Sequence, residues 1–223
     1  MIRFEPERCK AIIFDMDGVL LDSERIAYDI GRQICEDMNL PWRHEVAMQM
    51  IGRNSREFES LLKGAYGDDF PVAEHQQEFG RRYEALIAEG RVPQKPGVDA
   101  FFARLDEIGL RRVVATSTRR SRALPKLEAA GLLARLDGVV AGDEVIRGKP
   151  APDIFLAAAE LLGRRADECT VIEDSNAGVR GALAAGAQVV MVPDMLLPAP
   201  DLAATRISIL PSLDAVRRLF DAL

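Results

Sequence analysis

The chain has 223 residues, of which 48% are hydrophobic and 29% charged, and its formal net charge is −6 at pH 7. That composition suits a globular protein able to bury one large core or two unequal ones, and the acidic balance argues against nucleic acid or an anionic membrane as a partner. The longest apolar runs, 11–14 and 188–192, are far too short to span a bilayer.

The opening stretch, "MIRFEPERCKAIIF", carries acidic residues and lacks the apolar core and small-residue cleavage site of a secretory signal. Cys9, Cys35 and Cys169 stand apart, without metal-type spacing, which points to a reducing, cytoplasmic setting.

Short apolar, partly β-branched runs recur at 11–14, 112–115, 138–141, 170–172 and 188–192. Runs of this kind read as strands buried on both faces of a parallel sheet. Helical patterns lie between them. In "PGVDAFFARLDEIG", Val98, Phe101, Phe102, Leu105 and Ile108 share one face and Gly109 supplies a stop. "APDIFLAAAELLG" and "SNAGVRGALAAGA" follow the same plan. Alternating strand and helix predicts a doubly wound α/β sheet.

One interval breaks the alternation. From Ser23 to Pro93 every segment reads as helix, with Ile26, Ile30, Ile34 and Met38 spaced four apart in the first of them. About 70 residues of helix is too much for one crossover. The expected organisation is a catalytic core formed by 1–22 and 94–223, with 23–93 as an inserted helical cap domain. Hinges are expected near 21–24 and 92–97. In open α/β sheets ligands bind beyond the carboxyl ends of the strands, so an insertion after the first strand would lie over that site.

The chemistry should therefore be sought where the strands end. The first ends in Asp15-Met16-Asp17-Gly18 and the second in Thr116-Ser117-Thr118. The run at 138–141 is followed by "GDEVIRGKPAPDIF", which contains Lys149, and the next run ends in Glu173-Asp174-Ser175-Asn176. Crowded carboxylates repel unless a cation sits among them, and hard oxygen ligands suit Mg²⁺. One carboxylate can then attack phosphorus, and a second, two residues on, can protonate the departing oxygen and later activate water. Lys149 and Thr116 would neutralise and hydrogen-bond the phosphoryl oxygens.

These segments, "FDMDGVLLDSE", "GKPAPDIF" and "VIEDSNAGVRGALAAGA" above all, resemble the haloacid dehalogenase-like hydrolase superfamily. Within it they are similar to the branch with a small helical cap, which includes β-phosphoglucomutase-like sugar phosphatases. The resemblance implies a Rossmann-like three-layer α/β/α core, Asp15 as nucleophile and Asp17 as general acid/base. It implies Thr116 and Lys149 as phosphate binders, with Ser117 the second choice for the hydroxyl. Mg²⁺ would be held by Asp15, the Asp17 carbonyl and Asp174, with Glu173 beside it. An acid at position 17 favours a phosphate ester over C–halogen or C–P cleavage as the target.

In the insertion, "IGRNSREFESLL" resembles the specificity loop of the mutase-like members. Gly52 and Arg56, with Arg53 as the second option, are the candidates for gripping the substrate. The hinge histidine of β-phosphoglucomutases is missing: Ala27 stands where it would fall, and His44 and His75 lie deeper in the insertion. The expectation is a monomeric phosphatase acting on a small phosphorylated metabolite, most readily a sugar phosphate. A phosphomutase is the alternative. A non-enzymatic, receiver-like phosphoacceptor uses similar parts, but in receivers the acidic pair ends the first strand and the acceptor comes later, the reverse of the order here.

Overall fold

The computed structural model of the chain describes residues 4–51, 55–203 and 207–221, without the side chains of 55–57 and 203. It divides into two compact units, one formed by Met1–Asp22 with Pro93–Leu223 and the other by Ser23–Val92.

In chain order, β1 (Ala11–Phe14) is followed by helices of the second unit: α1 (Ser23–Asp37), α2 (His44–Met50), α3 (Ser55–Tyr66) and α4 (Val72–Ala88). The first unit resumes with α5 (Val98–Glu107), β2 (Arg111–Ala115), α6 (Arg120–Ala129), β3 (Gly138–Val140) and α7 (Asp153–Leu161). It closes with β4 (Cys169–Glu173), α8 (Asn176–Ala184), β5 (Gln188–Met191), α9 (Pro200–Ala203), β6 (Ser208–Ile209) and α10 (Leu213–Arg218).

Among the described residues six strands form one parallel sheet in the order β3-β2-β1-β4-β5-β6. β1 is central, and Ile12, Ile13 and Phe14 are fully buried because helices cover both faces. On one face Ala11, Ile13, Val113, Ala115 and Val171 pack with Ile154, Phe155 and Ala158 of α7 and Val179 and Ala182 of α8. On the other, the Phe14 ring lies 5.7 Å from Phe101 and 5.3 Å from Phe102 of α5, and Phe101 lies 5.5 Å from Phe220. This is the doubly wound sheet expected from the alternation of strand and helix, in the three-layer, Rossmann-like form that the family resemblance implies.

The register explains why distant residues meet. Phe14 is level with Val114 of β2 and with Ile172 of β4. The next residue along each strand therefore opens onto one shared edge, and β1 with β4 marks the place where the chain switches direction across the sheet. The strand bounds differ from the expected runs by a residue at several ends. β6 was not anticipated, since Ser208 and Ile209 are too few to show a pattern. Leu219, the residue after α10, is half-buried.

In the helical unit α1 packs on α4 and α2 on α3. Ile30, Ile34 and Cys35 are buried in α1, and Leu62, Phe70 and Val72 form a further apolar cluster with Leu40, Met50 and Tyr66. Trp42 Nε1 donates to the Tyr28 hydroxyl at 3.1 Å, and that hydroxyl meets His44 Nδ1 at 2.8 Å, so His44 is part of a local polar chain. His75 is buried against Phe70, their rings 5.6 Å apart, and its Nδ1 has no hydrogen-bond partner among the described residues.

Burial holds the His75 imidazole below its ordinary value of 6.5. Protonation then favours the unfolded chain, so this contribution to stability is complete above about pH 6.5 and declines as the pH falls through it. Urea unfolding followed at about pH 7.5 and about pH 5.5 should show a larger loss for the natural chain than for His75→Leu. Equal losses would assign the acid sensitivity to other groups.

Candidate active site

The edge at the carboxyl ends of β1, β2 and β4 collects the acidic residues. Asp15 directly follows β1 and continues the ladder, its backbone N–H donating to the Ile172 carbonyl at 2.9 Å. After Asp17 the chain reverses tightly: Gly18 N–H bonds the Leu21 carbonyl at 2.9 Å while Leu20 and Leu21 both bond Met16. Gly18 has φ +85°, and a Cβ there would lie 2.3 Å from Asp174 Oδ2. The turn thus needs glycine twice over, for its left-handed backbone and for its close approach to the Asp174 carboxylate.

Lys149, in the loop between β3 and α7, has its side chain 5% exposed and donates to both Asp15 Oδ1 and, at 2.6 Å, Glu173 Oε1. Its ammonium also stands 5.1 Å from the centre of the Phe155 ring. Glu173 is wholly buried, and its other oxygen accepts from Ser175 N–H at 2.7 Å and Ser175 Oγ at 2.9 Å. Ser175 caps α8 through the Gly178 N–H. A Cβ at Gly178 would fall 1.7 Å from Glu173 Oε1, so glycine lets the first turn of α8 close over this carboxylate.

Asp15, Glu173 and Asp174 are all buried and can each bring one oxygen within 4.8 Å of the others. Burial pushes the Asp15 carboxyl up to about 7; Lys149 opposes this, and Glu173 and Asp17 add to it. Burial pulls the Lys149 ammonium down, yet the facing carboxylates of Asp15 and Glu173 outweigh it and hold its pKa above the ordinary lysine value. The asymmetry is physical: Lys149 faces two anions, whereas Asp15 faces one cation and further anions. The hard oxygens of Asp15 and Asp174, with Glu173 beside them, are a donor set that fits a divalent cation.

Asp17 has different company. Its Oδ2 accepts from Thr118 Oγ1 at 2.7 Å and its Oδ1 from Lys126 Nζ at 2.8 Å. Thr116 is buried, and its hydroxyl accepts from the Thr118 N–H at 3.1 Å, whereas Ser117 is exposed. Asp15, Asp17, Thr116, Lys149, Glu173 and Asp174 are thus gathered at one edge of the first unit. Gly52 and the Arg56 side chain lie outside the described residues, as does Arg53. Thr118 and Lys126 were missed from the sequence. The one available signal was a lysine in the apolar stripe of α6, between buried Ala123 and Leu127.

At the opposite edge of the sheet a surface cavity of about 510 Å³ is lined by Asp106, Arg111, Arg112, Arg135 and Asp137 among others. Its charges are already paired, Arg112 with Asp106 at 2.6 Å and Arg111 with Asp137 at 2.8 Å, while Arg135 bonds Asp99. Those pairs and the stacking of Arg112 on Phe102 read as structural.

Similarity to known proteins agrees with the chemistry of the carboxyl edge. The model of the family described as haloacid dehalogenase-like hydrolase matches residues 9–186. Protein CbbY of Rhodobacter capsulatus is 33% identical over 197 residues, covering 82% of this chain and 85% of that one. The phosphorylated carbohydrates phosphatase of Thermotoga maritima is 31% identical over 182 residues, covering 79% of this chain and 82% of its own. A crystal structure of a putative β-phosphoglucomutase from Thermotoga maritima superposes with a TM-score of 0.80 at 26% identity, covering 96% of this chain and 99% of that one. With its parallel sheet, its acidic carboxyl edge and a family match across most of its length, the chain belongs to the haloacid dehalogenase-like hydrolases.

Proposed function

We propose that the chain is a cytoplasmic, Mg²⁺-dependent phosphatase that hydrolyses a small phosphorylated sugar through an aspartyl-phosphate on Asp15. The observation that carries this reading is the separation of two acids two residues apart. Asp15 points to Lys149 and the carboxylate cluster, while Asp17 is held by Thr118 and Lys126. Environments that differ this much assign different roles to chemically identical groups.

On this reading an Asp15 carboxylate oxygen attacks phosphorus as the bond from phosphorus to the ester oxygen breaks. Asp17 gives its proton to the departing oxygen. It then takes a proton from water as that water attacks phosphorus, which breaks the acyl-phosphate bond and frees phosphate and Asp15. Lys149 and the Thr116 hydroxyl bind the phosphoryl oxygens. The carboxylates of Asp15 and Asp174 and the Asp17 carbonyl would hold Mg²⁺, which would supply charge neutralisation for the phosphoryl group. Glu173 is read as the anchor of Lys149 rather than a metal ligand, because both its oxygens already accept hydrogen bonds from Lys149 and Ser175.

The helical insertion, with Gly52 and Arg56, is the candidate source of substrate specificity. The sugar phosphate class is supported by the likeness to the phosphorylated carbohydrates phosphatase. The cytoplasmic setting is supported by buried, free Cys9, Cys35 and Cys169. A phosphomutase is the second reading, favoured by the likeness to a putative β-phosphoglucomutase and opposed by Ala27 in the hinge position.

Phosphate release from a panel of sugar phosphates should require Mg²⁺, stop with chelator, and fall to background in Asp15→Asn. Asp17→Asn should lose roughly 10²–10⁴-fold, the usual worth of a general acid/base. Turnover by Asp15→Asn would refute the nucleophile, and isomerisation outpacing phosphate release would favour the mutase. A separate outcome concerns folding: Lys149→Met strips the cation from two buried carboxylates and should cost about 3–5 kcal/mol in urea unfolding. A variant as stable as the natural chain would show that the pair carries no such weight.

A further inference from the structure

Lys126 is an odd occupant of its position. It is 5% exposed and sits in the inward stripe of α6 with Ala123 and Leu127, both wholly buried. An amine there loses its hydration, a cost that an aliphatic side chain in the same place would not meet. What it gains is the contact with Asp17, 2.8 Å away and 109 positions distant along the chain. Nor is Lys126 part of the phosphate-facing set, since it bonds the second acid of the motif while Lys149 bonds the first.

We propose that Lys126 is a positioning residue that fixes the orientation of the Asp17 carboxylate for proton transfer. This rests on the reading of Asp17 as general acid/base. An ammonium can only donate, so Oδ1 is kept as an acceptor. A hydroxyl can donate or accept, so Thr118 at 2.7 Å can follow Oδ2 through both protonation states. Held by Lys126 on Oδ1 and by Thr118 on Oδ2, the carboxylate is kept from rotating. Thr118 also ties this arrangement to the phosphate-binding turn, since its N–H bonds the Thr116 hydroxyl.

Aryl phosphates with leaving groups of falling basicity test this without knowledge of the natural substrate. kcat/KM for phenyl, p-cresyl and p-nitrophenyl phosphate would be measured with the natural chain, Lys126→Met, Asp17→Asn and the double variant. A misaimed acid hurts poor leaving groups most. Lys126→Met should lose on the order of 10–100-fold with phenyl phosphate and less than about 3-fold with p-nitrophenyl phosphate. Asp17→Asn should show the same steepened trend, and the double variant should be no steeper than Asp17→Asn.

A uniform loss across the three esters in Lys126→Met, or additive losses in the double variant, overturns the positioning role. A flat profile in Asp17→Asn refutes the general acid itself and takes this proposal with it. A steep Asp17→Asn with a flat Lys126→Met refutes Lys126 alone. Met suits the apolar stripe of α6. Should Lys126→Met nonetheless fail to fold by circular dichroism, Thr118→Val is read in the same way, and its flat profile overturns the proposal.

Discussion

The buried ammonium of Lys149, bonded at once to Asp15 and Glu173, is the interaction on which the rest of the carboxyl edge depends. Three separate stretches of chain have to agree for it to form. β1 delivers Asp15, the loop after β3 delivers Lys149, and β4 delivers Glu173, whose far oxygen is bonded to the residue that caps α8. Two glycines permit the closeness, Gly18 beside Asp174 and Gly178 beside Glu173. Buried ions of this kind rarely add net stability over an apolar core of the same shape, but removing one partner is severe. Such an arrangement is expected where the fold serves a reaction rather than its own stability.

The charge of the edge is divided unevenly. Around Asp15 the Lys149 ammonium is opposed by the carboxylates of Glu173 and Asp17, and burial raises the Asp15 pKa to about 7. Such a set of carboxylates could hold a divalent cation. Around Asp17 the balance is reversed, with an ammonium and a hydroxyl placed on its two oxygens. The motif Asp15-Met16-Asp17 is thus two acids aimed at different partners. Met16, fully buried between them, and the left-handed Gly18 set that divergence in the backbone.

Much of this was legible in the sequence because it is local. β1, with its continuous apolar run, reads as a strand on any scheme, and the acids that follow it are contiguous with it. The helical stripes of α5, α7 and α8 are equally plain. β6 was not legible, as two residues carry no periodicity. In the site, Asp15, Lys149 and Asp174 were expected from the segments that follow the apolar runs and from the family resemblance, and they lie together at the carboxyl edge. The use of Glu173 was not, because it depends on where α8 begins and on the Ser175 cap. Lys126 was hidden more deeply, since its contact with Asp17 spans 109 positions of the chain and is set by tertiary packing.

The central claim is that Asp15 accepts the phosphoryl group. The most direct measurement is mass spectrometry of enzyme quenched in acid during turnover and reduced with borohydride, which converts an acyl-phosphate to the alcohol. The account predicts that Asp15, and not Asp17, is converted to homoserine, and only when substrate and Mg²⁺ were both present. Modification at Asp17 or Ser117, or none under conditions of steady phosphate release, would contradict it.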